Sequence, residues 1–511
     1  MIRYLILSIL SCINVLYNRD YILINMNFQE VGLFTEIKKL NYRDFIIFLI
    51  PFIIFLIYLS VFNPGIATYD TFNQFHQIAS GQFANWHPFF HTFIEMICLS
   101  IYPNPASISI LQILVFSIMW MVICKYFRKD DIGNKNWFVL QVIVTLIICL
   151  IPINALYSIT YWKDILFSYL LMFLCFLAKV MIDKEGKVDL KFIILISLVM
   201  ACVSQLRGNG FYVVLITMIV YAIYLFKKSN VKMSIALPAL TIIFILLISS
   251  LNIVYNVEDN EKDAILAKTA HMLADYDLNL TIDFADQNTI HQLIDEKKME
   301  KKYRVSYSDE IYDISNRTVF ENNKGTYIGL LVKYSLQNPL HCLNYMFASS
   351  AFVWDITHDD SWKGRPYHIS EKYDIDNRSG THFHKTHNVT PIEPYETLSF
   401  VNWGTPIFKA FTSFAIFIED NIVLDSLFNS PALYMYLSII ILIAIHLITK
   451  SRAIWLIYIP NLLNILVVFA STPIQDTRYL YPNLLICYML IIILIGLWQS
   501  SPEKFKDIFK R

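Results

Sequence analysis

The chain has 511 residues, 56% of them hydrophobic and 15% aromatic, but only 16% charged, where a soluble domain carries about a quarter charged residues. With a mean hydropathy of +0.49, this excludes a soluble globular enzyme, a disordered chain and a fibrous repeat, and predicts an all-α polytopic membrane protein. Lys plus Arg and Asp plus Glu number 41 each, so no basic surplus points to nucleic acid as a partner.

A membrane-spanning helix needs about 20 mostly apolar residues. An apolar stretch at 4–17 is short for a span and reads as a signal-like region or an interfacial helix within a cytoplasmic segment 1–43. Ten stretches then read as spans: 44–63, 107–127, 137–156, 163–182, 191–206, 211–227, 233–255, 432–449, 453–470 and 479–498. The first seven form one module, 44–255. A polar and charged insert, 256–431, separates it from three C-terminal spans, 432–498, and a tail, 499–511. The insert has the composition of a folded water-facing region.

Loop charges give the orientation. Lys38, Lys39 and Arg43 precede the first span, and Arg128, Lys129 and Lys135 follow the second. Lys184, Lys187 and Lys191, then Lys227, Lys228 and Lys232, then Lys450 and Arg452, mark every second connection after that. Loop 64–106 contains no Lys or Arg. The positive-inside rule therefore places both ends of the ten-span core in the cytoplasm, and loop 64–106 and the insert outside. Eleven of the twelve His fall on that outer face; His446 lies in a span.

Loop 64–106 is the richest segment. Pro64-Gly65 ends the first span. Phe72, Phe75, Ile78 and Ala79 recur at helical spacing, which predicts a helix over 71–79 lying flat at the interface, with Asp70 at its start. Two readings of Asp70 stand. It is either the N-cap of that helix or a general base, a lone carboxylate whose pKa desolvation raises. Tyr69, Gln74, Trp86, His87 and His91 surround it in sequence as further candidates. His87 reads equally as an ordinary loop histidine.

Three later segments bring charge to the same outer boundary. Lys163 and Asp164 open the fourth span behind Tyr161 and Trp162; they read as interfacial anchors or as holders of an anionic head group. Arg207-Gly208-Asn209-Gly210 reads as a tight turn or as a close approach to a phosphate, for which a planar guanidinium is suited. Arg478, in Gln475-Asp476-Thr477-Arg478-Tyr479, either pairs with Asp476 or holds the same phosphate. In the insert, His382, His384 and His387 have the spacing of transition-metal ligands, but without an evident fourth ligand they read better as a solvated or sugar-facing loop. The eight cysteines include no CxxC pair, and most sit in apolar runs, so neither a disulfide framework nor a zinc site is indicated.

The order of these features resembles the GT-C superfamily of membrane glycosyltransferases. The shared elements are a first span, an outer loop with an early Asp, an in-plane helix, a His-Pro pair (His87-Pro88), and later outer Lys-Asp, Arg-Gly-Asn-Gly and Arg-Tyr pairs. The resemblance implies a seven-span catalytic module, in-plane outer helices and a variable C-terminal half. It further implies Asp70 as the catalytic acid of the first loop, a polyprenyl-phosphate sugar as donor, and a glycan or lipid acceptor at the outer face of the cell membrane. Relatives often carry two adjacent acids where this chain has Asp70 between Tyr69 and Thr71, which leaves a divalent metal requirement open. On this reading His87 assists Asp70, while Lys163, Arg207 and Arg478 hold the donor phosphate. The rivals are a polymerase or ligase of lipid-linked polysaccharide and a transporter or flippase. A transporter places its charges and broken helices near the midplane, whereas here they gather outside.

Overall fold

The computed structural model describes residues 40–128, 135–258, 262–357, 372–374, 397–471 and 475–500. The segment 4–17, the insert histidines His382, His384 and His387, and the tail beyond 500 lie outside these residues. The described chain is mostly helical, and its one two-stranded sheet pairs β1 (Lys372–Asp374) with β2 (Thr397–Ser399) antiparallel.

The membrane module begins with α1 (Tyr42–Val61), α2 (Tyr69–Ser80), α3 (Phe89–Ile101) and α4 (Ala106–Phe127). It continues through α5 (Lys135–Leu150), α6 (Pro152–Ser158), α7 (Lys163–Asp183), α8 (Leu190–Leu206), α9 (Gly210–Lys227) and α10 (Val231–Val254). The insert carries α11 (Lys262–Asn279), α12 (Phe284–Leu293), α13 (Glu296–Lys302), α14 (Asp309–Ile314), α15 (Arg317–Asn322), α16 (Lys324–Gln337), α17 (Pro339–Ser349) and α18 (Ala351–Trp354). After β2 come α19 (Pro406–Asp420), α20 (Ile422–Asn429), α21 (Pro431–Thr449), α22 (Ile459–Ser471) and α23 (Tyr481–Ser500).

Seven helices among the described residues are long and apolar enough to cross a membrane: α1, α4, α7, α9, α10, α21 and the run Thr477–Trp498 that contains α23. This differs from the ten stretches expected. The stretch 137–156 forms two helices, α5 and α6, bent by 72°. The bend falls at Ile151-Pro152, where proline has no N–H to continue the first helix; counted as one broken span, the pair is an eighth. The stretch 191–206 is the 17-residue α8, and 453–470 divides into a 3₁₀ turn, Arg452–Ile457, and the 13-residue α22. Both are apolar but short for a span.

Helix α7 is the axis of the bundle, buried along nearly its whole length. Polar side chains fasten the last helix beside it. Tyr481 Oη donates to Asn154 Oδ1 at 3.1 Å, Asn461 to Asn483 at 2.9 Å, and Asn483 to the Pro431 carbonyl at 3.1 Å. In apolar surroundings such bonds satisfy groups that would otherwise be costly to bury. At the opposite end, fully buried Asp44 is paired with Lys125 at 3.0 Å and with Arg128, joining the start of α1 to the end of α4.

The end carrying loop 64–106 is stitched by backbone pairing. The Ile66 N–H donates to the Ile159 carbonyl at 2.9 Å and Tyr161 N–H to the Ile66 carbonyl at 3.1 Å. Gly65 (φ 134°) permits this, since a Cβ there would collide with the Tyr161 ring. The segment after α1 is thereby tied to the segment before α7, so Asp70 and Lys163 begin as neighbours.

Candidate functional site

Helix α2 forms where its apolar spacing predicts, but it does not lie open on a surface. Thr71 through Gln77 are all buried, with Phe75 packed among Cys98, Leu99, Ile108 and Tyr161, and the insert pairs with the segment that follows the helix. The Glu258 N–H donates to the Phe83 carbonyl at 2.9 Å and Asn85 N–H to the Glu258 carbonyl at 2.8 Å. Trp86 stacks on Tyr312 of α14, with ring centroids 5.9 Å apart. The N-cap of α2 is Thr68, with Thr71 Oγ1 accepting from its backbone N–H at 3.2 Å. Asp70, the second residue of the helix, is not the cap, so that reading of it is corrected. The side chain of Tyr69 lies outside the described residues.

Asp70 meets three residues remote in sequence. Arg478 Nη1 donates to Asp70 Oδ2 at 2.9 Å. Lys163 Nζ lies 3.8 Å from the same oxygen, and His87 Nε2 lies 3.9 Å from Oδ1. Lys163 Nζ is also 3.0 Å from His87 Nδ1. An ammonium only donates, so Nδ1 accepts and the ring proton sits on Nε2, the nitrogen facing Asp70. Asp70 is 24% exposed, so the cluster is partly open to solvent.

The expectation of a lone carboxylate with a raised pKa is overturned. Burial is the largest single influence and would raise Asp70, but Arg478, His87 and Lys163 together outweigh it, and the carboxyl is held well below its usual range. His87 moves down to about 3, first through burial and then through the Lys163 cation, and is neutral at neutral pH.

Arg478 is locked from several sides. Asp476 caps the 3₁₀ turn Thr477–Leu480, accepting from the Arg478 N–H at 3.0 Å, and its other oxygen lies 3.0 Å from Nε. The guanidinium carbon sits 4.8 Å from the Trp162 ring centre, and the Trp162 indole N–H donates to Thr68 Oγ1 at 2.7 Å. The turn itself is anchored to the insert, with Gln475 N–H donating to the Ser306 carbonyl at 3.2 Å and Gln475 Nε2 to the Ala348 carbonyl at 2.7 Å.

Arg207 and Asp164 form a second pair beside the first, with Nε to Oδ1 at 3.3 Å and both side chains buried. Arg207 lies over the Tyr479 ring at 4.4 Å and donates to the Tyr479 carbonyl at 3.2 Å. The Arg478 guanidinium sits 5.1 Å from the same ring. Tyr479 thus links the two arginines. Gln74 and His91 stand behind the cluster: Gln74 Nε2 lies 3.0 Å from His91 Nδ1 and donates to Thr92 Oγ1 at 2.9 Å. Asn209 turns instead to Ser471, 3.3 Å away.

The insert adds a residue that its sequence did not single out. Asp309 opens α14, three residues beyond Ser306 and three before Tyr312, which touch the Arg478 turn and Trp86 respectively. Burial, then the charges of Asp70 and Asp313, push Asp309 up to about 6. No local pattern marks it.

The donor set does not fit a divalent metal. Among the described residues no three His, Cys, Asp or Glu side chains group to hold one, and Asp70 is flanked by two cations. No family model matches the chain, and neither a curated protein nor a solved structure matches it.

Proposed function

We propose that this protein is a membrane glycosyltransferase of GT-C type, moving a sugar from a polyprenyl-phosphate donor to a glycan or lipid acceptor at the outer face of the cell membrane. The short helices α8 and α22 and the bent pair α5–α6 would complete a ten-span core with cytoplasmic ends. The observation that carries the reading is the convergence of Asp70, His87, Lys163 and Arg478 on one partly open cluster at the end of the bundle.

In the reaction, Asp70 takes the proton of an acceptor hydroxyl. The hydroxyl oxygen bonds to the anomeric carbon while the bond from that carbon to the phosphate oxygen breaks. The electron pair leaves on the lipid phosphate, and one displacement inverts the anomeric centre. Arg478 and Lys163 face the charge that grows on the phosphate. Neutral His87, its tautomer set by Lys163, presents Nε2–H toward Asp70 and orients the carboxylate.

The Arg478–Asp70 pair gives this cycle an order. While Arg478 grips Asp70, the carboxylate is a weak base. An arriving phosphate competes for the same guanidinium, and Asp70 becomes more basic as that contact is lost. Donor binding then precedes proton removal. The charges gather at helix ends and not at mid-span, which supports transfer chemistry over transport.

The test is sugar transfer from a polyprenyl-phosphate donor by the purified protein in liposomes, wild type against Asp70→Asn. Transfer by wild type and its loss in the variant supports the assignment. Equal transfer by both removes Asp70 from the chemistry.

A further inference from the structure

The last part of the insert differs from the water-facing character of its overall composition. Helices α19 and α20 fold back on the ends of two membrane-length helices. The Val401 N–H donates to the Asn63 carbonyl at 2.9 Å and Asn402 Nδ2 to the Ser60 carbonyl at 2.5 Å, just at the end of α1. Phe411 packs edge-on against Tyr58 at 4.7 Å, and Phe408 against Phe62 at 5.0 Å. Ser430 then caps α21 directly. The hairpin therefore lies level with the last turn of α1 and the first turn of α21.

Helix α19 has three distinct sides. Phe408, Ala415 and Ile418 are buried against the protein. Lys409, Ser413 and Asp420 are exposed on a polar side. Ile407, Phe414 and Phe417, spaced i, i+7, i+10, make an apolar side that is 51%, 49% and 59% exposed. A soluble surface helix needs one buried side and one polar side; a third, apolar and uncovered, needs a second apolar medium. In α20, Ile422, Val423 and Leu427 are exposed in the same way. The exposed apolar sides of α1 (Phe45, Leu49, Ile53, Ile57) and of α21 (Leu437, Ile440, Leu447) end where this hairpin begins.

We propose that residues 406–429 form an interfacial hairpin whose occupant is bilayer lipid. The Phe414 and Phe417 side of α19 sits in the boundary between head groups and acyl chains, with its Lys409 and Asp420 side in water. The hairpin extends the lipid-facing belt of α1 and α21 sideways. It also makes the insert a structure seated in the membrane at both of its ends. This inference is independent of any sugar chemistry.

The experiment places nitroxide labels on the full chain in phosphatidylcholine–phosphatidylglycerol liposomes and reads collisions with oxygen and with a water-soluble nickel chelate. Phe414→Cys and Phe417→Cys are compared with Lys409→Cys and Asp420→Cys on the same helix, after subtracting signal from native cysteines. Ile440→Cys is the lipid reference and Lys298→Cys the water reference. The expected result has the 414 and 417 labels following Ile440, with an oxygen-rich and nickel-poor environment, and the 409 and 420 labels following Lys298. Labels at 414 and 417 that follow Lys298 overturn the proposal. So do labels there shielded from both reagents, since a protein would then cover the face. An intact fold in each variant is checked by thermal stability matched to wild type.

Discussion

Arg478 Nη1 donates to Asp70 Oδ2 at 2.9 Å across 408 positions of sequence. The pair joins the start of α2 to the turn before α23. Their separation in the chain makes the site a property of the assembled bundle.

Asp70→Asn separates chemistry from architecture. Thr68 caps α2, so loss of the Asp70 charge leaves the cap intact. We expect a folded, inserted protein whose transfer rate falls by about 10²–10⁴-fold, the usual contribution of a positioned base. The rate is measured with expression and thermal stability matched to wild type.

Arg478→Gln removes the main counter-charge of Asp70. Burial then dominates, and the carboxyl titrates at higher pH. The infrared carboxylate band, taken as a difference against Asp70→Asn, reads this directly. In wild type the band persists far into acid; in the variant it disappears at higher pH. The stability sign follows the same shift. The wild-type folded value lies below the unfolded value of about 3.9. Its stabilising contribution is therefore full above about pH 4 and is lost as pH falls toward the folded value. A band unmoved by Arg478→Gln would show that the pair does not control Asp70.

Lys163 sets the His87 tautomer and, after burial, is the main influence that keeps the ring neutral. In Lys163→Met the donor to Nδ1 and one of the cations that disfavour ring protonation both vanish. The His87 pKa should rise from about 3, with burial still holding it below the ordinary 6.5. Histidine-selective isotope-edited infrared spectra over pH 3 to 7 provide the readout. An unchanged titration would remove Lys163 from this role.

Arg207→Ala leaves Asp164 buried without its partner. Breaking a buried pair from one side costs about 3–5 kcal/mol, so thermal stability should drop sharply. Asp164→Asn added to that variant should recover part of the loss, because the stranded charge is gone. Additive losses in the double variant would show that the two side chains do not interact.

Topology has its own test. Maleimide reagents that cannot cross the membrane should reach Gln82→Cys and Lys297→Cys, both exposed, from the outside. Lys187→Cys should be reached only from the cytoplasm. The reverse pattern would turn the site to the other face.

Hydropathy and apolar spacing by themselves determined the membrane class and the helix that carries Asp70, and seven of the ten stretches they marked are helices of membrane-crossing length. Each of these is a local property: about twenty apolar residues, or an apolar spacing of three and four, reads the same wherever the segment ends up. The same reading brought Lys163, Arg207 and Arg478 to one boundary, because charged groups avoid the apolar interior. Tertiary structure alone decided how they pair. It made Thr68 the cap, engaged Asp70 with Arg478, stacked Arg478 on Trp162 and Arg207 on Tyr479, and carried Asp309 over from the insert. It also shortened α8 and α22 and bent α5 from α6 at Pro152. The physical reason is one of range. A carboxylate's basicity depends on which cation lies within a few ångströms, and that neighbour here comes from 408 positions away.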